Sequence, residues 1–66
     1  MKIIINGQAR EFQEGLTLLE VLKELSLSDK VMAAAVNMNI VKQDSWDSVV
    51  IKENDKLELL DFVGGG

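Results

Sequence analysis

Cysteine and histidine are both missing from this 66-residue chain. Without cysteine there is no disulfide framework, thiolate nucleophile, iron–sulfur cluster or thiolate zinc site, and the lack of stabilising bridges suits a reducing cytoplasm. Without histidine the chain has neither the usual general base near neutral pH nor the commonest transition-metal ligand, which excludes a catalytic triad. Hydrolysis by carboxylates alone would need an acid of raised pKa facing a second carboxylate across a cleft, and no spacing among the 11 Asp and Glu residues singles out such a pair. Clusters of positive charge are missing too: Lys2, Arg10, Lys23, Lys30, Lys42, Lys52 and Lys56 are scattered, and the net charge is -4. Phosphate-backbone binding depends on Lys and Arg displacing counterions, so nucleic acid is not expected as a partner. No run approaches the roughly 18 apolar residues of a membrane span, and Ile3-Ile4-Ile5 is far shorter than a signal-peptide core. A soluble, cytoplasmic protein is expected, with no membrane partner.

What is present points to one small domain. A chain of this length buries only about 60% of the surface it exposes when unfolded, so its apolar residues are needed for the core and little is left for a pocket. Lys2 to Asn6 reads as a β-branched strand, and Asn6-Gly7 supplies the positive φ values of a two-residue hairpin turn. Gln8 to Gln13 follows as a second strand with Phe12 as its apolar anchor. Thr17 with Glu20 three residues on forms a capping box, and Leu16 and Val21 are placed for a hydrophobic staple. Leu18, Val21, Leu22 and Leu25 keep the i, i+3, i+4, i+7 spacing of an amphipathic helix.

The apolar run Val31 to Val36 is short and bounded by turn residues, which favours a strand over the helix its alanines would otherwise suggest. Those three alanines would let a helix sit close to a sheet. Asn37-Met38-Asn39 reads as a turn, Ile40-Val41 as a short strand, and Asp44 to Ser48 as a loop or single helical turn carrying Trp46. Val49-Val50-Ile51 is apolar and extended, Glu53-Asn54-Asp55 turns the chain, and Lys56 to Val63 alternates as the last strand. Trp46 is expected as a packing anchor, and Met32 and Met38 as core gap fillers. Asp44, Asp47, Glu53 and Asp55 lack the spacing of a calcium loop and read as caps, turns and solvated charge.

One helix covers one face of such a sheet, so the expected fold is α+β: a mixed, twisted sheet with the helix laid across one side and the first and last strands parallel at its centre. That is the β-grasp, or ubiquitin-like, arrangement, with residues 1–66 as a single domain and 64–66 as a flexible tail. Leu57 and Leu59 share one parity and should face the helix, leaving Leu60 and Phe62 outward beside the tail as a candidate docking pair.

The tail itself is Val63-Gly64-Gly65-Gly66. Glycines add nothing to a core, but a slim, adaptable lead permits a terminal carboxylate to be threaded into a narrow channel of another protein. On composition alone a frayed terminus or a linker remnant is the commoner reading of such a segment.

The order of these pieces resembles the bacterial thiamine-biosynthesis sulfur-carrier family, small β-grasp proteins related to the molybdopterin synthase small subunit and more distantly to ubiquitin. The resemblance spans nearly the whole chain. It rests on Ile5-Asn6-Gly7, Leu18 to Leu25, Ala35-Val36-Asn37 leading to Ile40-Val41, Trp46, Asn54-Asp55-Lys56-Leu57-Glu58, and Phe62-Val63-Gly64-Gly65-Gly66. Such carriers require a terminal Gly-Gly, and Gly64 lengthens the lead here.

The resemblance implies a carrier and co-substrate, not an enzyme, with no bound cofactor or metal. A ubiquitin-activating-like adenylyltransferase would use ATP to adenylate the Gly66 carboxylate. Sulfur from a cysteine desulfurase would convert it to a thiocarboxylate, and thiazole synthase would accept that sulfur. Gly66 is then the modified residue, Gly64 and Gly65 thread into the partner, and Leu60, Phe62 and Val63 are candidates for docking. The alternatives are the same chemistry serving molybdopterin synthesis, and a non-covalent ubiquitin-like interaction module.

Overall fold

The computed structural model describes residues 1–61. Within them the chain forms β1 (Lys2–Ile5), β2 (Gln8–Glu11), helix α1 (Leu18–Glu24), β3 (Val31–Val36), β4 (Asn39–Val41), a 3-10 turn (Gln43–Ser45) and β5 (Lys56–Asp61). The strands make one sheet in the order β2-β1-β5-β3-β4. β1 and β5 are parallel, and the other neighbours are antiparallel. This is the expected mixed sheet with its first and last strands at the centre. Among the described residues no helix is long and apolar enough to cross a membrane.

Two hairpin turns set the register of the outer strands. Asn6 and Gly7 have φ of 48° and 86°, and Asn37 and Met38 have φ of 50° and 72°, the doubly positive pattern whose twist suits a two-residue hairpin. The second turn is one residue shorter than expected, because Asn39 already pairs with Val36. β2 stops at Glu11, two residues early, although the Phe12 amide still donates to the Met1 carbonyl and the ring packs on the core.

The helix begins as the capping box predicts. The Glu20 amide donates to Thr17 Oγ1 at 3.2 Å, and Glu20 Oε1 accepts from the Thr17 amide at 2.8 Å. The two preceding amides of the first turn find carbonyls in the segment that carries Trp46: Leu18 donates to Val49 and Leu19 to Trp46. Every helix start has amides with no partner inside the helix, and here the loop supplies them. Val49–Ile51, expected as extended, runs beside this helix start with a single bridge from Val50 to Thr17.

At the other end Leu25 caps the helix, and Ser26 adopts φ 60°. The Ser26 amide reaches the Lys23 carbonyl, and the Leu27 amide reaches Leu22. That is the Schellman pattern, closed by the packing of Leu22 and Leu27 against the same core.

The core lies between the helix and one face of the sheet. Leu18, Val21 and Leu22 of α1 meet Ile3, Ile5, Val31, Ala34 and Leu57, with Ile51 and Trp46 closing one end. Trp46 is 1% exposed and its Nε1 donates to the Val41 carbonyl at 3.0 Å, so it is the loop anchor expected of it.

Met32 and Met38 are not gap fillers. Met32 is 54% exposed because the β3–β5 register shifts between Val31 and Ala33, so Met32 is the extra residue of a bulge. Simple alternation would have put Met32 with Ala34 on the core face. The bulge turns it out and lets Val31 point in instead. Met38 occupies the hairpin tip and is 92% exposed.

Ser26 and Met38 both hold a left-handed backbone that disfavours a Cβ by about 1–2 kcal/mol. Ser26→Gly and Met38→Gly are each expected to raise unfolding free energy by about 0.5–1 kcal/mol after the added freedom of the unfolded chain is counted. Urea denaturation checks this, and both variants should keep the m-value of the parent.

Candidate functional site

The alternation of β5 divides the sheet into two faces. Leu57 is fully buried and Leu59 packs against the core, while Glu58 and Leu60 point away from the helix. Leu60, one of the expected docking residues, is 59% exposed. Phe62, Val63, Gly64, Gly65 and Gly66 lie outside the described residues.

Around Leu60 the open face carries an apolar strip. Leu60 pairs with Ala33, Glu58 pairs with Ala35, and Ala35 pairs with Ile40 on β4. Directly paired residues share a face, so Ala33 and Ala35 form the low floor between Ile40 and Leu60. The result is a shallow depression of about 340 Å³. Ile40 at its rim is 73% exposed. The alanines thus divide their work: Ala34 makes room for the helix, and Ala33 and Ala35 make room on the opposite side. Among the described residues every buried side chain is apolar. This geometry suits the docking of another apolar surface.

Ile40, Ala33 and Ala35 were missed as site residues because their role depends on which face of β3 is covered. Alternation along β5 sufficed for Leu60. For β4 the pairing with β3 had to be known as well.

Two asparagines hold β5 in place. Asn37 Oδ1 accepts from the Lys56 amide at 3.0 Å, and its Nδ2 donates to Asp55 Oδ1 at 2.9 Å. Asp55 Oδ2 in turn accepts from the Lys52 amide at 2.8 Å, closing the turn that enters the strand. Farther along, Asn6 Oδ1 accepts from the Leu59 amide at 2.8 Å and Asn6 Nδ2 donates to the Leu59 carbonyl at 3.3 Å. Both asparagines were legible only as turn residues.

Comparison with known proteins places this architecture. The profile of the ThiS family matches residues 3–66, which takes in the three terminal glycines. The sulfur carrier protein ThiS of Escherichia coli is 30% identical over 66 residues, covering the whole of both chains. A thiazole synthase of Paramagnetospirillum magneticum is 38% identical over 66 residues, and this chain spans 20% of its length. The crystal structure of a thiamine biosynthesis protein (ThiS) from Geobacter metallireducens superposes with a TM-score of 0.82 at 27% identity, with both chains fully covered. With the sheet order, the helix and the glycine segment all inside that match, the chain belongs to the ThiS family.

Proposed function

We propose that this protein is a sulfur carrier of thiamine biosynthesis, a co-substrate whose own Gly66 carboxylate is the reacting group. The observation that carries the reading is the family match through Gly66, together with the apolar face that Leu60 and Ile40 leave open on the sheet. A carboxylate is a poor electrophile. Attack of a Gly66 oxygen on the α-phosphorus of ATP would release pyrophosphate and leave a mixed anhydride. The terminal sulfur of a persulfide from a cysteine desulfurase would then attack the carbonyl carbon and expel AMP, giving an acyl disulfide. A second thiol takes the inner sulfur into a disulfide and leaves the Gly66 thiocarboxylate, a good sulfur nucleophile.

Thiazole synthase is the proposed acceptor. Support comes from the two thiazole synthases, of Paramagnetospirillum magneticum and Magnetococcus marinus, in which a fifth of the length is similar to this entire chain. A carrier-like stretch and a much longer remainder in one polypeptide fit a carrier that works against that enzyme. The adenylating enzyme would be related to ubiquitin-activating enzymes and would hold the ATP, so the carrier needs no cofactor of its own. Gly64 and Gly65 would thread into the partner's channel, with Val63 at its mouth. Leu60, Phe62 and Val63 would dock, with Ile40 extending the surface across the alanine floor.

Removing Gly65 and Gly66 separates a carrier from a binding module. The shortened chain should unfold at the temperature of the parent and still bind the adenylating enzyme, yet fail to restore thiamine-independent growth to a strain lacking its own carrier. Restored growth would contradict the carrier reading. Leu60→Gln tests the docking face: KM for the carrier in the adenylation reaction should rise about tenfold, equivalent to ~1.4 kcal/mol. Because Leu60 is exposed, the same substitution should change stability by less than about 1 kcal/mol.

A further inference from the structure

β1 is too short to satisfy β5. Its ladder with β5 consists of Ile4 beside Lys56 and Ile5 beside Leu57, completed by the Asn6 amide donating to the Leu57 carbonyl at 2.9 Å. The chain then leaves through the Asn6-Gly7 turn, while β5 runs on to Asp61. Along a strand, alternate residues direct their amide and carbonyl to the same neighbour, so after Leu57 the next pair aimed at β1 belongs to Leu59. No β1 backbone is left to meet it. The Asn6 side chain meets it instead, with Oδ1 on the Leu59 amide and Nδ2 on the Leu59 carbonyl. One side-chain amide therefore stands in for the missing peptide group and lengthens the ladder by one step.

We propose that Asn6 is a positioning residue for the carrier reaction: by clasping Leu59 it fixes the point and direction from which the chain proceeds to Gly66. The proposal rests on the carrier reading above. Two consequences of the clasp serve delivery of a chain end. Leu59 is held facing the core and Leu60 facing out, and a slip of one residue would exchange them and remove Leu60 from the open face. The backbone at Leu59 is also ordered before any partner arrives, so docking need not supply that order. Asn37 makes a comparable clasp at Lys56, at the start of the strand.

The test uses substitutions that keep both turns. Glycine accepts positive φ at least as well as asparagine, so Asn6→Gly removes the amide without straining the turn. Asn6→Asp keeps the acceptor for the Leu59 amide and loses the donor. Asn37→Gly is the stability control. Each is measured by amide hydrogen exchange at Leu59 and by steady-state adenylation with the cognate adenylating enzyme and ATP. In Asn6→Gly the Leu59 amide should exchange at least about tenfold faster, and KM for the carrier should rise about tenfold with kcat within about twofold of the parent. Asn6→Asp should fall between, and Asn37→Gly should lower the melting temperature with KM unchanged.

A folded Asn6→Gly with parental KM overturns the proposal, as does an equal rise of KM in Asn37→Gly, which would reduce the effect to general destabilisation. If Asn6→Gly fails to fold, the Asn6→Asp data decide by the same criteria. A parent protein that is never adenylated sinks the carrier reading, and this proposal with it. An adenylated parent with an indifferent Asn6→Gly sinks this proposal alone.

Discussion

β5 is the element on which everything else depends, because it is the central strand and also the one that leads to the glycine segment. A central strand must have its amides and carbonyls met on both sides, since an unmet buried backbone group costs about as much as a lost hydrogen bond. β3 meets one side along most of the strand. On the other side β1 meets it only as far as Leu57. Asparagines at the two hairpin turns complete the pairing, Asn37 at Lys56 and Asn6 at Leu59. Each is thus at once a turn former, through its positive φ, and a strand partner, through its amide. The left-handed backbone is tolerated well by asparagine, whose short side chain can hydrogen-bond locally.

This arrangement leaves a small domain with a clear division of surfaces. The helix side takes Ile3, Ile5, Val31, Ala34 and Leu57 into the core, which a chain of this size needs in full. The open side keeps Ile40 and Leu60 exposed across an alanine floor. Leaving two large aliphatic side chains exposed on one face gives nothing to folding, and it is the kind of surface that a partner protein covers. In the proposed cycle the body docks and orients, while the bond making and breaking takes place at the carboxylate of Gly66 inside another protein. The absence of cysteine and histidine fits that division, since a carrier whose reacting group is its own main-chain terminus needs neither.

Features written in local sequence were legible, and those set by distant pairing were not. The Thr17–Glu20 capping box, the Asn6-Gly7 turn and the alternation of Leu57 to Leu60 each depend on residues within four positions of one another, so spacing alone revealed them. Ser26 was hidden because glycine is the usual signal for a left-handed helix end. Met32 was misplaced because a bulge, formed only when β3 meets β5, resets the alternation that pattern reading assumes. Met38 has the composition of a core residue and the position of a hairpin tip. The role of Ile40 followed from β3 and β4 pairing, and the bonds from Asn6 to Leu59 span 53 residues, a separation that no local pattern encodes. The glycine segment was conspicuous as composition, and the role proposed for it rests on the order of all the other pieces.

The central claim is that the chain end of this domain becomes the sulfur-bearing group, and the mass of the intact protein reports that directly. The protein is incubated with the adenylating enzyme, ATP, a cysteine desulfurase and cysteine, with a thiol reductant present, and then weighed by mass spectrometry with fragmentation to locate any change. The account predicts a gain equal to the replacement of one oxygen by sulfur, confined to Gly66. An unchanged mass while the adenylating enzyme is active on another carrier, or a sulfur located anywhere else in the chain, would contradict it.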